Sequence, residues 1–422
     1  MPFELDPAAP DFSSLIRPGA TVLWGQANAE PVALTGALIA QRHRFQRLRV
    51  MLGIASGNTC LAEHADAVDF FAYCGAGSNR ALADAGVLDI LPIHYSEMAQ
   101  MLRSGALRID VLMLQLSPPD AQGQHSLSLA NEYLLAALEH ATVVIAEINL
   151  QAPWTHGERT LSLQDLDAVT YTDRSPLTTA SPAIRAIDTQ IARHISALVE
   201  DGSTLQTGIG AIPDAVLGAL IDHRNLGVHS GSIGDSVMRL MQSGAINNSR
   251  KNRDIGVSIG GILMGSQSLH QFAHRNAAIQ LRSTAYTHDA QVLASLDRLV
   301  AINSAVEVDL TGQINSEAAS GSYLGAVGGA LDFIRGAQKS RGGLPIIALP
   351  STAGAKSRIV PRLNGPVTIP RSDAGLIVTE HGVADLRGLT IKQRVRKMLD
   401  IASPQHQAEL EQAWAIQGLA GR

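Results

Sequence analysis

Ser203-Thr-Leu-Gln-Thr207-Gly208-Ile-Gly-Ala-Ile-Pro213-Asp-Ala-Val216 is the stretch that decides the fold. A short run suited to a strand meets a Gly-x-Gly turn. A helix-forming segment follows, with proline in its first turn, where a missing N–H costs little. Upstream the same rhythm recurs. Thr21-Val-Leu-Trp24, Leu48-Arg-Val-Met-Leu52, Val111-Leu-Met-Leu-Gln-Leu116 and Ala141-Thr-Val-Val-Ile-Ala146 read as strands, with helix-length stretches at 31–41, 78–85 and 96–104 between them. Near-continuous apolar strands separated by helices predict open α/β architecture, with mainly parallel sheets covered on both faces.

A polar, Pro-containing stretch over 161–182 interrupts this rhythm. Ile184, Ile187, Ile191, Ile195 and Leu198 then predict a helix over 182–200. The expected division is two tandem α/β domains, 1–185 and 186–422. A chain of 422 residues has room for both, with 45% hydrophobic and 17% charged residues to build large cores. The 38 glycines and only 4% aromatics suit tight turns and close helix-on-sheet packing.

Composition also excludes partners. A net charge of −5 without a long basic run argues against nucleic acid. Cys60 and Cys74 are too few for a disulfide framework and lack zinc-ligand spacing, so no metal site is expected. The first twenty residues carry Glu4, Asp6 and Asp11 and no apolar segment, and apolar runs elsewhere fall short of a membrane span. The expectation is a cytoplasmic protein, and small-residue α/β interfaces suggest a homodimer or higher homo-oligomer.

The glycine turn at 208–212 brings backbone N–H groups and a helix N-terminus together, an arrangement that favours an anion. An ordinary strand-to-helix turn reads the same way. The turn lacks the third glycine of the dinucleotide fingerprint and the Lys-Ser/Thr of a nucleotide-triphosphate loop.

Further segments follow in order. They are Asn225-Leu-Gly-Val-His229-Ser-Gly-Ser-Ile-Gly-Asp235, Ala301-Ile-Asn303-Ser-Ala-Val306-Glu-Val-Asp-Leu310, Gly312-Gln-Ile-Asn315 and Gly325-Ala-Val-Gly-Gly329-Ala-Leu-Asp-Phe333. Leu349-Pro-Ser-Thr-Ala-Gly-Ala-Lys356-Ser-Arg-Ile-Val-Pro361 and Val378-Thr-Glu380-His-Gly-Val-Ala-Asp-Leu-Arg-Gly388 complete the set, with Trp24–Pro31 and Gln115–Gly123 in the first half. This ordered set resembles the acetyl-CoA hydrolase/transferase family over nearly the whole chain. The resemblance implies an active site between the two domains, with acyl-CoA and a small carboxylic acid as partners. Coenzyme A is then a substrate, with no tightly bound cofactor. By the same resemblance Gly208, Ile209, Gly210, Ala211 and Ile212 hold part of coenzyme A. Val306, Gly325 and Gly329 line the pantetheine and thioester, and Gly329 offers its N–H to an oxyanion. Lys356 lies where phosphates are contacted, although a solvated loop lysine reads equally well. Ser56 and Glu30 fall near the substrate carboxylate.

One position departs from the family. The family carries a nucleophilic glutamate where this chain has Gly231, which has no side chain to attack with. A second departure is Tyr286-Thr-His288-Asp289, where the family shows Asn before Asp, so His288 is a candidate general base or a structural histidine. Glu380 matches a supporting acid of the family. Three readings follow: a CoA-transferase acting on a small-acid acyl-CoA, with its carboxylate drawn from elsewhere; an acyl-CoA hydrolase that activates water; and a non-catalytic acyl-CoA binder.

Overall fold

The structure is a computed structural model and describes residues 2–319 and 321–416. Two large sheets organise it. The first has eight strands, in the spatial order Phe3–Glu4, Ala168–Thr172, Val143–Asn149, Val111–Leu116, Thr21–Trp24, Leu48–Leu52, Val68–Ala72 and Leu88–Ile90. Every neighbouring pair in it is parallel. The central strand Val111–Leu116 is buried at all its positions, which explains its unbroken apolar run. The second sheet has six strands, ordered Gly227–Val228, Thr204–Thr207, Leu299–Ser304, Leu344–Ala348, Leu376–Thr379 and Gly382–Asp385. Its pairs are parallel except the last, which is antiparallel. The chain is thus α/β, with mostly parallel sheets, as the sequence predicted.

Two local expectations need correction. The segment 161–182 is not a plain interruption: Ala168–Thr172 forms a strand between two others of the first sheet, with Ala168, Val169 and Thr170 buried. Its apolar content is too short to announce itself among the surrounding polar residues. The helix expected over 182–200 spans Ala186–Ser196. Arg185 is extended, and the Asp188 carboxylate accepts its N–H at 2.9 Å, which fixes the start. Ile184 stays outside the helix and half exposed. At the other end, N–H bonds from Leu198 to Ile195 and from Val199 to Ser196 tighten the chain out of α geometry.

The two sheets are stitched by backbone bonds. Gly75 N–H donates to Gly325 O at 2.9 Å, and Tyr95 N–H donates to Gly328 O at 3.0 Å. Ser96 donates from both N–H and Oγ to Asp332. On another side Asn131 N–H reaches Gly261 O at 2.9 Å, while Leu263 N–H reaches Leu129 O at 2.8 Å. One apolar cluster runs through both halves and includes Leu129, Tyr133, Ile262 and Met264. The loops at the carboxyl ends of both sheets are therefore held against each other, where open α/β sheets place ligands. Among the described residues, no helix is long and apolar enough to cross a membrane.

Candidate active site

A cavity of about 170 Å³ opens between the two halves. The second half contributes Gly208 and Ile209 from the glycine turn, Gly231 and Ser232, His288, Asn303, and Gly328, Gly329 and Phe333. The first half contributes Gln26, Ile54, Tyr73, Tyr95 and Glu132. Five second-half motifs spread over residues 208–333 thus converge on one space with Gln26 of the Trp24–Pro31 segment.

The second-half wall is built from close backbone approaches. The strand Thr204–Thr207 ends at Gly208, and Gly210, at φ 134°, turns the chain into helix Ala211–Ala219. Gly208, Ile209 and Gly210 also line an adjoining cleft of about 180 Å³ with Thr179–Pro182. Ala211 and the buried Ile212 lie in the first turn of that helix. Gly329 precedes helix Ala330–Lys339, and a Cβ there would lie 2.5 Å from His288 Nε2. Gly231 differs. Its φ is not in the left-handed region, and a Cβ would sit 3.3 Å from His288 Cε1 and 3.4 Å from Nε2. Its backbone therefore does not require glycine.

His288 is buried, packed between the rings of Tyr95 and Phe333 at 4.9 Å and 4.6 Å. Its Nδ1 lies 2.8 Å from Thr287 Oγ1. Burial pushes its pKa down to about 3, so the imidazole is neutral at ordinary pH. A base that weak is poorly matched to proton abstraction near neutrality.

Glu132, a residue the sequence reading missed, is the one carboxylate among the described residues lining the cavity. It is fully buried, and burial raises its pKa to about 7, against the hydrogen bonds from Tyr95 and Gln26. Tyr95 Oη donates to Glu132 Oε2 at 2.6 Å, and the Gln26 amide donates to the same oxygen. The amide is oriented because Gln26 Oε1 accepts from Ile54 N–H at 2.7 Å and from Tyr73 Oη at 2.8 Å. Glu132 Oε1 has no hydrogen-bond partner in the protein. The residue also sits at φ 37°, left-handed and unusual for a non-glycine. Only its place after Leu-Ala-Asn131, in a helix-approaching run, was visible beforehand, and nothing in that run signals chemistry.

The remaining predicted residues lie outside the cavity lining. Glu30 is buried, but its Oε1 accepts from Thr35 and Thr59 hydroxyls. Ser56 Oγ lies 3.5 Å from Thr179 Oγ1. Val306 is half-buried, and its N–H donates to Asn315 O. Gly325 serves the contact with Gly75, and a Cβ on it would meet Ser316 O at 2.0 Å. Lys356 is exposed in a short hairpin of Thr352–Ala353 with Lys356–Ser357. Glu380 is held by Ser351, which donates N–H at 2.9 Å and Oγ at 2.5 Å.

Two open, mainly parallel α/β sheets with a glycine-walled cavity between them define a class of two-domain enzyme scaffold. Sequence profiles of the acetyl-CoA hydrolase/transferase N-terminal and C-terminal domains match residues 8–180 and 265–414. The chain belongs to the acetyl-CoA hydrolase/transferase family. It is 36% identical over 403 residues to the 4-hydroxybutyrate coenzyme A transferase of Clostridium kluyveri, covering 94% of each chain. It is 31% identical over 242 residues to the acetyl-CoA hydrolase of Kluyveromyces lactis, covering 53% of this chain and 44% of that protein. The crystal structure of RipA from Yersinia pestis superimposes with a TM-score of 0.91 at 32% identity, covering 99% of this chain and 98% of the other.

Proposed function

We propose that this chain is a CoA-transferase, moving coenzyme A from the acyl-CoA of one small carboxylic acid to another acid. The observation that carries the reading is the convergence of Gly208, Ile209, Gly231, His288 and Gly329 on one interdomain cavity. Coenzyme A would run along the glycine turn 208–212, whose residues Gly208 and Ile209 line both the cavity and the adjoining cleft. The thioester carbonyl would then face Gly329, at the start of a ten-residue helix, where backbone N–H groups favour a developing oxyanion. Val306 and Gly325 would flank the thioester, and Lys356 would meet the phosphates from its exposed hairpin. Glu380 would support the site from behind Ser351, while Ser56 and Glu30 would bear on the acid from the first half. The proposal retains two domains dividing near residue 185, a cytoplasmic location and a homo-oligomeric assembly.

The competing reading is a hydrolase. It is favoured by Gly231, which offers no nucleophile, leaving water to attack. One assay separates them: acetyl-CoA, butyryl-CoA and succinyl-CoA are each incubated with the protein, with and without acetate, 4-hydroxybutyrate or succinate. New acyl-CoA that appears only with acceptor supports transfer. Free thiol released at the same rate without acceptor supports hydrolysis, and neither product from any pair would sink the enzyme reading.

A further inference from the structure

We infer that Glu132 is the nucleophile of this enzyme: the first half of the chain supplies the carboxylate that Gly231, in the second half, lacks. The inference rests on the transferase reading above. Among the described residues lining the cavity, Glu132 is the one carboxylate. It stands beside the vacant position. Gly261 N–H donates to Gly231 O at 2.9 Å, and a Cβ on Gly261 would touch Glu132 Cγ at 3.1 Å. The acid is therefore one residue's width from the backbone where the family carries its own.

Its environment is built. Oε2 is fixed by Tyr95 and by Gln26, itself clamped by Tyr73 and Ile54, so the carboxylate cannot swing away. Oε1 is buried and unpartnered. A buried acceptor left bare is costly, and so is a left-handed backbone at a glutamate. Leu at 132 would avoid the first cost and Gly the second, so neither cost serves the fold. The first is accounted for if Oε1 is kept free to form a bond.

The other acids of the interior do not have this freedom. Glu30 accepts from two hydroxyls, Glu147 is paired with Arg174 at 2.7 Å, and Glu380 is held by Ser351. His288, being neutral, adds no positive charge that would trap the carboxylate as an ion pair.

The chemistry balances. Glu132 Oε1 adds to the thioester carbonyl carbon. The intermediate collapses, the C–S bond breaks, and CoA thiolate leaves an acyl–glutamyl anhydride. The thiolate then attacks the glutamyl carbonyl, the anhydride C–O bond breaks, and the first acid departs as its carboxylate. The acceptor carboxylate reverses both steps. No net proton, electron or water is consumed.

The test uses the full chain with butyryl-CoA and acetate. Wild-type protein is incubated with butyryl-CoA, reduced with borohydride and mapped by peptide mass, alongside exchange assays of wild type and Glu132→Gln. The expected result is reduction of a glutamyl thioester to the alcohol at Glu132, and an exchange rate lowered by about a thousandfold or more in Glu132→Gln. Thermal melts check that Glu132→Gln is folded, and Glu132→Asp, which withdraws the carboxylate, should also lose exchange. Exchange by wild type with Glu132 unmodified, or Glu132→Gln within about tenfold of wild type, would overturn the inference and leave the transferase reading standing. Thiol release without exchange would overturn both.

Discussion

The two walls of the cavity differ in how they are made. The second-half wall is built largely on turns and glycines, Gly208, Gly231 and Gly329, each embedded in a recognisable run of sequence, with His288, Asn303 and Phe333 among its side chains. The first-half wall consists of single side chains, Gln26, Tyr73, Tyr95 and Glu132, from four separate places in the chain. One wall offers backbone and volume. The other offers a polar network with a titratable centre. The difference teaches that backbone turns lining a cavity leave a motif in the sequence, whereas a buried side-chain network such as that around Glu132 leaves none.

The largest expected effect tests the holding wall. Gly329→Val would drive a branched side chain into His288 Nε2, which a bare Cβ already approaches to 2.5 Å, and would crowd the N–H proposed for the oxyanion. Turnover should fall by about a hundredfold to a thousandfold, and overpacking against the buried His288 should lower the melting temperature as well. Unchanged turnover would show that the thioester lies elsewhere.

A smaller effect tests the polar wall. Tyr95→Phe removes the hydroxyl that donates to Glu132 Oε2, a bond that favours the ionised carboxylate. The rate should drop about tenfold at neutral pH. The rate rises with pH as Glu132 ionises, so its midpoint, near 7 in wild type, should move higher in the variant. A rate–pH profile of both proteins checks the direction. A midpoint that stays fixed would detach Glu132 from the reaction.

The sequence disclosed these walls unequally, for physical reasons. Strand-turn-helix units have local signatures, so Thr204–Thr207 with its glycine turn was legible, as were Thr21–Trp24 and Val111–Leu116. Ala168–Thr172 was not, because its place in the sheet comes from pairing with Val143–Asn149 rather than from its own composition. The same holds for Glu132. Its raised pKa comes from burial under groups distant in the chain, and Tyr95 is 37 residues away while Gln26 is 106 away. His288 lines the cavity, but its weak basicity depends on burial between Tyr95 and Phe333, which spacing does not reveal.

Acid stability offers a milder test. His288 and His229 are both buried, with pKa values lowered from the ordinary 6.5 to about 3. Between those values the unfolded chain binds protons that the folded chain does not, so stability is full above pH 6.5 and is lost as pH falls toward 3. Each histidine steepens that loss by at most about 1.4 kcal/mol per pH unit. Denaturant midpoints measured from pH 7 to 4 should therefore fall less steeply in His288→Asn than in wild type. Equal slopes would mean that His288 titrates normally and is solvated.

The smallest expected effect falls at Gly231. Gly231→Ala adds one methyl where the backbone already accepts a Cβ and where the nearest atoms, His288 Cε1 and Nε2, are 3.3 and 3.4 Å away. Those atoms belong to a side chain, which can yield by a few tenths of an ångström. The cost should stay under about 1 kcal/mol, and the rate within about fivefold of wild type. Gly325→Ala makes the contrast, since its Cβ would meet backbone Ser316 O at 2.0 Å with no side chain to move. Gly325→Ala should lower the melting temperature well below that of Gly231→Ala. If Gly231→Ala instead abolishes activity with its fold intact, the empty volume at 231 is itself occupied by substrate. The holding wall would then be shaped by Gly231 itself, and side-chain volume at 231 would set acid specificity.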